Sequence, residues 1–265
     1  MTNIVISGFK GRMGQSIFKM AQKFDDIKVV GAVEREDHPE IGSEVYKGLT
    51  LQDDVAPLLN ENTVLIEFSN PAATVKHVEE AMKAKAKVII GTTGLTSEQE
   101  DSIKKASEVI PILESHNYGL GMNTFWEILR NATKALGNDY EVEIVEYHGG
   151  DKPDVPSGTG LIIGNIIAEA KGVKFEDVVR YGRDITKTNV RKENEICYHS
   201  VRGGSYRADY TIVFLGDGER LEFTLREESV DIIARGAVLS AKFMETCKPG
   251  YYEMSDVLEF LRQAR

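Results

Sequence analysis

The chain has 265 residues, 28% charged and 42% hydrophobic, a composition that is typical of globular proteins and argues against intrinsic disorder. Its net charge of −10 disfavours nucleic acid as a partner, and its longest apolar stretch, residues 161–168, is far too short for a membrane span. The two cysteines, Cys197 and Cys247, cannot build a disulfide scaffold. Strand-like residues begin directly after Asn3 and leave no room for a signal peptide, so we expect a cytoplasmic protein.

The first half of the sequence alternates short β-branched runs with helical patterns. This alternation predicts βαβ units and a parallel sheet that helices cover on both faces, as in an α/β, Rossmann-like domain. Ser97 and Glu100 have the spacing of a capping box and mark one helix start. The predicted strands are residues 3–7, 27–33, 64–68, 88–90 and 110–113. The predicted helices are residues 13–24, 73–85 and 97–108.

After residue 114 the pattern becomes that of an α+β domain with a mixed or antiparallel sheet. Gly137 is expected to close one helix, and Gly216-Asp217-Gly218 predicts a hairpin. We expect hinges near residues 119–121 and near Gly236, so that residues 1–119 and 237–265 form one domain and residues 120–236 another. The predicted strands are residues 141–147, 195–201, 210–215 and 220–225. The predicted helices are residues 124–136, 158–170, 232–244 and 255–262, with a loop at 115–123.

A glycine-rich turn directly after the first strand is the sharpest local signal. Gly8, Gly11 and Gly14 precede and open a helix, where backbone N–H groups can approach a pyrophosphate at the positive helix end. The spacing is not that of the usual dinucleotide fingerprint, and an ordinary strand–turn–helix corner would also use glycine. Glu34, 20 residues after Gly14 and at the end of the second strand, favours the dinucleotide interpretation because its carboxylate can accept hydrogen bonds from a ribose.

The choice between NADH and NADPH stays open at this stage. Glu34 favours the free 2′-hydroxyl of NADH, whereas Lys10, Arg12 and Arg35 are suited to the 2′-phosphate of NADPH, so we expect dual use. Each basic residue is otherwise a solvated surface charge. Two further loops, Ser69-Asn70-Pro71 and Gly91-Thr92-Thr93-Gly94, follow parallel strands and are either simple turns or cofactor contacts.

The stretch from Glu146 to Thr159 is the second informative segment. Ser157, Gly158 and Thr159 open a helix, whose N–H groups and dipole suit a carboxylate. Lys152 adds a cation, and His148 can donate a proton near neutral pH. A surface histidine, a solvated lysine and a plain helix cap are the alternative. A metal site with His148, Asp151 and Asp154 lacks the usual ligand spacing, and we expect no metal.

Several motifs together resemble those of the 4-hydroxy-tetrahydrodipicolinate reductase (dihydrodipicolinate reductase) family, in order and spacing over almost the whole chain. The resemblance implies a Rossmann-like dinucleotide-binding domain and a substrate-binding domain that assembles a homotetramer. It also implies reduction of a small dicarboxylate cyclic imine on the diaminopimelate–lysine route, with loss of water, by NADH or NADPH. The motifs are the Gly8–Gly14 run, Gly91–Gly94, His148…Lys152…Pro156-Ser157-Gly158-Thr159 and Val201-Arg202-Gly203-Gly204.

The resemblance also carries residue roles. It implies His148 as the general acid, Lys152 as the substrate-facing cation, and Gly158 and Thr159, with Ser157 at the edge, as the carboxylate clamp. A proton donor or cation near the reduced imine stabilises the electron density that a hydride leaves on nitrogen, and a hinge between the domains would exclude water. Cofactor-contacting positions are Gly8, Lys10, Gly11, Arg12, Met13, Glu34, Arg35, Phe68, Gly91, Thr93, Ser115, Asn117 and Tyr118.

Three positions depart from the family pattern in or beside the substrate domain. Gly149 replaces a second histidine, Tyr210 replaces the histidine of a Gly-Glu-His motif, and Leu239 replaces a basic residue. Each loses a potential contact to a dianionic ligand, worth about 1.5–3 kcal/mol if charge-assisted, for which His116 or Arg207 could compensate. A reductase of another cyclic imine and a non-catalytic NAD(P) sensor are therefore the alternatives. Retention of both His148 and Lys152 argues against the sensor.

Overall fold

The computed structural model describes residues 1–186 and 189–263. Within these residues the β-strands are β1 (Thr2–Ser7), β2 (Ile27–Val33), β3 (Glu44–Tyr46), β4 (Leu49–Gln52), β5 (Thr63–Glu67), β6 (Lys87–Ile90), β7 (Pro111–Glu114), β8 (Glu141–His148), β9 (Val179–Tyr181), β10 (Ile196–Arg202), β11 (Ala208–Gly216), β12 (Glu219–Glu227) and β13 (Gly250–Tyr252).

The helices cover most of the segments between these strands. They are α1 (Arg12–Ala21), α2 (Pro71–Ala84), α3 (Ser97–Ala106), α4 (Leu120–Leu136), α5 (Gly158–Ala170), α6 (Phe175–Val178), α7 (Asp231–Met244) and α8 (Met254–Gln263), with single 3-10 turns at Ala56–Leu58 and Gly137–Asp139. Among the described residues, no helix is both long and apolar enough to cross a bilayer.

The chain divides into two compact units. Unit 1 consists of Met1–Leu120 and the segment from Val230 onward. Its sheet has the strand order β13-β7-β6-β5-β1-β2-β4-β3, parallel throughout except for the β3–β4 pair. Strand β5 is buried at every position, because a parallel sheet with helices on both faces exposes neither side. The order reverses at β1, which pairs with β2 and β5, and this is the point where open α/β sheets bind ligands.

Unit 2, Gly121–Ser229, has a mixed sheet in the order β12-β11-β8-β10-β9. Strand β8 lies in the middle, parallel to β10 and antiparallel to β11. Side chains of α4 and α5, such as Leu129 and Ile163, pack on one face of this sheet and form the core with Ile144 and Ile212. The α/β fold class with a second, mixed-sheet domain is therefore confirmed.

Several predicted details differ from the structure. The capping box is formed by Thr96 and Gln99, whose side chains each bond the other's backbone N–H, and not by Ser97 and Glu100. Helix α4 begins at Leu120, so the predicted loop at 115–123 is too long. The sequence prediction also missed β3, β4, β9 and β13, which are only three or four residues long and lack a clear alternating pattern.

The second predicted domain boundary, near Gly236, differs from the boundary between the two units, and the reason is the packing of Gly236. Gly236 lies buried inside α7, and the unit boundary falls at Val230 instead of residue 237. A Cβ atom on Gly236 would lie 1.6 Å from the carbonyl oxygen of Tyr118, so glycine is needed there for close backbone approach within unit 1. Residues 264 and 265 of the predicted returning segment lie outside the described residues.

Replacing Gly236 by alanine is expected to destabilise the protein by about 1–3 kcal/mol, because the new methyl group overlaps a backbone atom that cannot move freely. The matched control is Gly121→Ala in α4, where a Cβ would meet only Leu225 Cδ1 at 3.6 Å. There the helix propensity of alanine should stabilise by up to ~1 kcal/mol. The measurement is the free energy of unfolding in urea, and equal effects of the two substitutions would contradict the packing argument.

Candidate active site

The glycine-rich turn after β1 is shaped by close backbone contacts. Gly8 adopts φ +72°, and a Cβ on it would lie 2.3 Å from the carbonyl oxygen of Phe68. A Cβ on Gly14 would lie 2.2 Å from the carbonyl oxygen of Gly8. Gly11 is the N-cap of α1 and has no side-chain cap, so the first N–H groups of this helix have no side-chain acceptor in the cap. The turn therefore presents backbone donors at a positive helix end, as a pyrophosphate requires.

A pocket of about 490 Å³ adjoins this turn at the carboxyl ends of the central strands. Glu34 lies in its wall, and its carboxylate accepts the backbone N–H groups of Lys10, at 2.8 Å, and Arg35, at 3.2 Å. These bonds fix the carboxylate directly after β2. The pocket is lined by Ser7, Gly8, Gly11, Glu34, Arg35, Glu36, Asp53, Phe68, Ser69, Asn70, Ala73, Lys76 and His77.

The basic residues predicted to bind a 2′-phosphate are differently placed. Lys10 Nζ is 2.5 Å from a carboxylate oxygen of Glu40 and lowers the pKa of that carboxyl. Arg35 Nε is 3.0 Å from Asp37. Arg12 is the exposed first residue of α1. Two of the three predicted cations thus already pair with a carboxylate.

The remaining predicted cofactor positions cluster around Phe68. A Cβ on Gly91 would lie 2.1 Å from the Phe68 ring, so glycine makes room for this aromatic side chain. The Tyr118 ring packs 5.6 Å from that of Phe68, and its buried hydroxyl donates to the carbonyl oxygen of Ile90 at 2.7 Å. Tyr118 therefore supports the ends of the strands from within the core.

Four further predicted positions also belong to unit 1. Ser115 Oγ donates to the carbonyl oxygen of Asn117 at 2.8 Å, and Asn117 is buried. Thr93 is exposed after β6, and Met13 packs partly buried against the core of unit 1. Thr93 and Ser115 follow β6 and β7, and none of the four residues lines the pocket. The residues present fit a dinucleotide: a glycine turn at a helix start, a fixed carboxylate after β2 and a pocket at the switch point.

A second set of polar groups lies in the sheet of unit 2. Alternate residues of β8, namely Val142, Ile144, Glu146 and His148, face the buried side. Two apolar residues on this face are thus followed by two ionisable ones. Glu146 has no exposed surface and His148 is 5% exposed.

Hydrogen bonds from two neighbouring elements surround the Glu146 carboxylate. Ser157, at the start of α5, donates its N–H at 3.1 Å and its hydroxyl at 2.6 Å. From β10, Tyr198 donates at 2.7 Å, Ser200 at 2.8 Å and Arg202 Nη2 at 2.8 Å. Burial alone would raise the pKa of Glu146, but these hydrogen bonds outweigh it and hold the pKa below its usual value. The carboxylate is therefore ionised and compensated.

His148 has both ring nitrogens in hydrogen bonds. Nδ1 lies 2.9 Å from the carbonyl oxygen of Arg207, and since a carbonyl can only accept, Nδ1 carries a proton. Nε2 lies 3.2 Å from the hydroxyl of Tyr210 and 3.7 Å from Glu146 Oε2. Burial lowers the pKa of His148 from its ordinary value, partly offset by the Arg207 carbonyl and the Glu146 charge.

The other predicted substrate residues lie close to this histidine in sequence. Lys152 Nζ is 2.9 Å from Asp154 and is partly exposed, and its charge contributes to lowering the pKa of His148. Ser157 is the buried N-cap of α5. Gly158 and Thr159 form the first turn of α5, where N–H groups lack intrahelical acceptors, and a Cβ on Gly158 would meet nothing within 4 Å.

The three departures from the family pattern have different surroundings. A Cβ on Gly149 would lie 2.7 Å from Asp151 Oδ1, so a histidine there would displace that side chain. Tyr210 places its hydroxyl on His148. Leu239 is buried in α7, which belongs to unit 1. Arg207 reaches His148 through its backbone, whereas His116 is an exposed residue of unit 1.

Sequence reasoning missed Glu146, Tyr198 and Tyr210 as members of this cluster. The available signal was the position of Glu146, a charged residue two positions before His148 on the buried face of a strand. The partners were not predictable, since Tyr210 is 62 residues from His148 in sequence. A Cβ on Gly160 would lie 1.7 Å from the Tyr198 hydroxyl, so the second glycine of Ser157-Gly158-Thr159-Gly160 makes room for the cluster.

Comparisons with known proteins agree over nearly the whole chain. The family profile described as dihydrodipicolinate reductase, N-terminus, matches residues 2–118, and the corresponding C-terminus profile matches residues 121–258. The 4-hydroxy-tetrahydrodipicolinate reductase of Polynucleobacter necessarius is 38% identical over 96% of this chain and 98% of its own length. The reductase of the same name from Nitrosomonas europaea is 36% identical over 97% of both chains.

A solved structure supports the fold. Dipicolinate-bound dihydrodipicolinate reductase from Paenisporosarcina sp. TG-14 superposes with a TM-score of 0.78 and 21% identity, covering 96% of this chain and 97% of that one. Because two consecutive family profiles and full-length relatives agree, the chain belongs to the dihydrodipicolinate reductase family.

Proposed function

We propose that this chain catalyses the NAD(P)H-dependent reduction of 4-hydroxy-tetrahydrodipicolinate to tetrahydrodipicolinate with loss of water, in the diaminopimelate and lysine pathway. The observation that carries the proposal is His148, a buried histidine with a defined tautomer beside the start of α5. Unit 1 serves as the dinucleotide-binding domain and unit 2 as the substrate-binding domain. Family membership of the full chain supports both assignments.

The residues of unit 2 supply the proton that the reaction consumes. When bound to unit 1, the nicotinamide cofactor supplies a hydride to the ring of the substrate. His148 releases a proton from Nε2, because Nδ1–H is held by the Arg207 carbonyl. Lys152 offers a partly exposed cation that attracts the dianionic substrate. The N–H groups of Gly158 and Thr159, at the positive end of α5, are suited to one of its carboxylates.

Replacing His148 by glutamine is expected to lower kcat by about 10²–10⁴, the usual contribution of a positioned acid. The dissociation constant of NADH, measured by fluorescence titration, should not change, since His148 lies outside unit 1. Turnover is followed by the loss of NADH absorbance, with the substrate generated in situ by the upstream synthase.

The matched control is His199→Gln, a half-buried histidine of β10 that pairs with Glu143 at 2.6 Å. It should leave kcat unchanged. Full turnover of the His148 variant would reject the general-acid role. NADH binding without any turnover by the unsubstituted protein would favour a sensor or a reductase of another cyclic imine. The second of these is compatible with a tyrosine, Tyr210, in contact with His148.

Both cofactors are expected to work, with NADH preferred. The fixed Glu34 carboxylate repels a 2′-phosphate and accepts from a 2′-hydroxyl, while Lys10 and Arg35 are paired with Glu40 and Asp37. Glu34→Gln should raise kcat/KM for NADPH about tenfold relative to that for NADH, because it removes one close like-charge repulsion. Glu36→Gln, in the same pocket wall, is the control and should change the ratio much less. An equal change in both variants, or an NADPH preference of the unsubstituted protein, would contradict the assignment.

We also propose a cytoplasmic homotetramer that assembles through the sheet of unit 2. The face of this sheet opposite α4 and α5 carries partly exposed apolar side chains, including Val145, Val213 and Val201, which is 40% exposed. Both cysteines are free thiols, which suits a reducing compartment.

The oligomer is tested by light scattering after gel filtration, where we expect a mass four times that of the chain. Val201→Glu should lower this mass, because it places a charge in the apolar interface. A monomeric unsubstituted protein would rule out the tetramer.

A further inference from the structure

The hydroxyl of Tyr210 lies between two groups of the candidate site. It is 3.2 Å from Nε2 of His148 and 3.1 Å from Oγ of Ser157, and the residue is only 2% exposed. Ser157 Oγ in turn lies 2.6 Å from Glu146 Oε2. Contacts at hydrogen-bonding distance therefore join the imidazole to a buried carboxylate through two neutral hydroxyls.

The direction of these hydrogen bonds follows from the protonation state of His148. With Nδ1–H donated to the Arg207 carbonyl, neutral His148 has a lone pair on Nε2, which accepts from the Tyr210 hydroxyl. Once Nε2 is protonated it becomes a donor, and the Tyr210 oxygen can accept from it. The phenol hydrogen then turns to Ser157, whose own hydrogen already points to the Glu146 carboxylate.

We propose that Tyr210 is a positioning residue that gives Nε2 of His148 a hydrogen-bond partner in both protonation states. The negative charge of Glu146, to which Ser157 connects the Tyr210 hydroxyl, then stabilises the imidazolium. This role rests on the proposed function of His148 as the proton donor. On transfer, the Nε2 proton leaves its hydrogen bond to the Tyr210 oxygen for the substrate, and the lone pair that remains on Nε2 then accepts the Tyr210 hydroxyl.

Tyr210 itself keeps its proton. Burial raises the pKa of its phenol to about 12, so the residue works by rotating its O–H bond. The Thr159 side chain and Glu227 also face this phenol.

The charges that face His148 come from three directions. Glu146, on the same strand, favours the imidazolium, whereas Lys152 and Arg202 disfavour it. Burial is the largest effect and also disfavours it. A polar partner for Nε2–H therefore matters more here than at an exposed histidine, because an unpartnered buried charge is costlier than an unpartnered neutral group.

Tyr210→Phe removes the partner and keeps the ring. Loss of the hydroxyl destabilises the imidazolium more than the neutral imidazole, so the pKa of His148 should fall. Because kcat requires protonated His148, kcat declines as the pH rises, and in the variant this decline should move to lower pH by about one unit. Above the midpoint this shift is a tenfold loss of the protonated form of His148. KM should change little, because Tyr210 is not expected to bind the substrate.

Tyr198→Phe is the matched control. Tyr198 is equally buried and donates to the same carboxylate at 2.7 Å, but it is not part of the chain to His148. Its variant should leave the midpoint of the kcat profile in place. An unshifted profile for Tyr210→Phe, or the same shift in both variants, would overturn the proposal in favour of a general effect of the cluster.

A measurement on the unsubstituted protein covers the case in which Tyr210→Phe does not fold. Nitrogen-15 NMR of the five histidines, with His148→Gln for assignment, should show His148 protonated at Nδ1 and accepting a hydrogen bond at Nε2 when neutral. A neutral form protonated at Nε2 would reject the proposal. This spectrum needs no turnover, so it tests the role of Tyr210 independently of the reductase assignment. Failure of the reductase assignment would instead be seen as absence of turnover by the unsubstituted protein.

Discussion

The second unit of this protein depends on one buried carboxylate. Glu146 occupies the central strand of the second sheet without any exposed surface, and an ionised group there would be very costly without compensation. Ser157, Tyr198, Ser200 and Arg202 provide that compensation. Removing a single donor would leave the Glu146 charge only partly compensated. Because the donors come from β10 and from the start of α5, the register of β8 with its neighbours and the start of α5 are determined together.

This arrangement connects the start of α5 with His148. The N–H and hydroxyl of Ser157 both bond Glu146, which fixes the first turn of α5 and therefore where the N–H groups of Gly158 and Thr159 lie. His148 follows Glu146 by two residues on the same face of β8. A short strand segment thus sets the separation between His148 and the first turn of α5, which explains why their spacing in the sequence is informative although most of their partners come from elsewhere.

Local signals predicted much of the fold, and long-range contacts account for part of what they missed. The β2 and α5 boundaries and the Gly216–Gly218 hairpin followed from β-branched runs, helix caps and turn glycines. Gly236 could not be recognised as a packing glycine, because the carbonyl that excludes a side chain belongs to Tyr118, far away in the sequence. In the candidate site, Glu34 was found from its distance to the glycine turn. The pairing of Lys10 with Glu40 required the folded chain.

The carboxylates of Glu34 in unit 1 and Glu146 in unit 2 differ in what they bind. Glu34 is held by two backbone N–H groups in a pocket wall and keeps acceptor capacity for a ligand hydroxyl. The bonds to Glu146 come from the protein itself, and its charge faces His148 both directly, with Oε2 3.7 Å from Nε2, and through the Ser157 and Tyr210 hydroxyls. For that reason Tyr210 need not weaken the site, although it lacks the charge of the histidine that the family pattern would place there. A neutral hydroxyl that can donate or accept suits the proton-donor role proposed for His148, whereas a second cation would oppose its protonation.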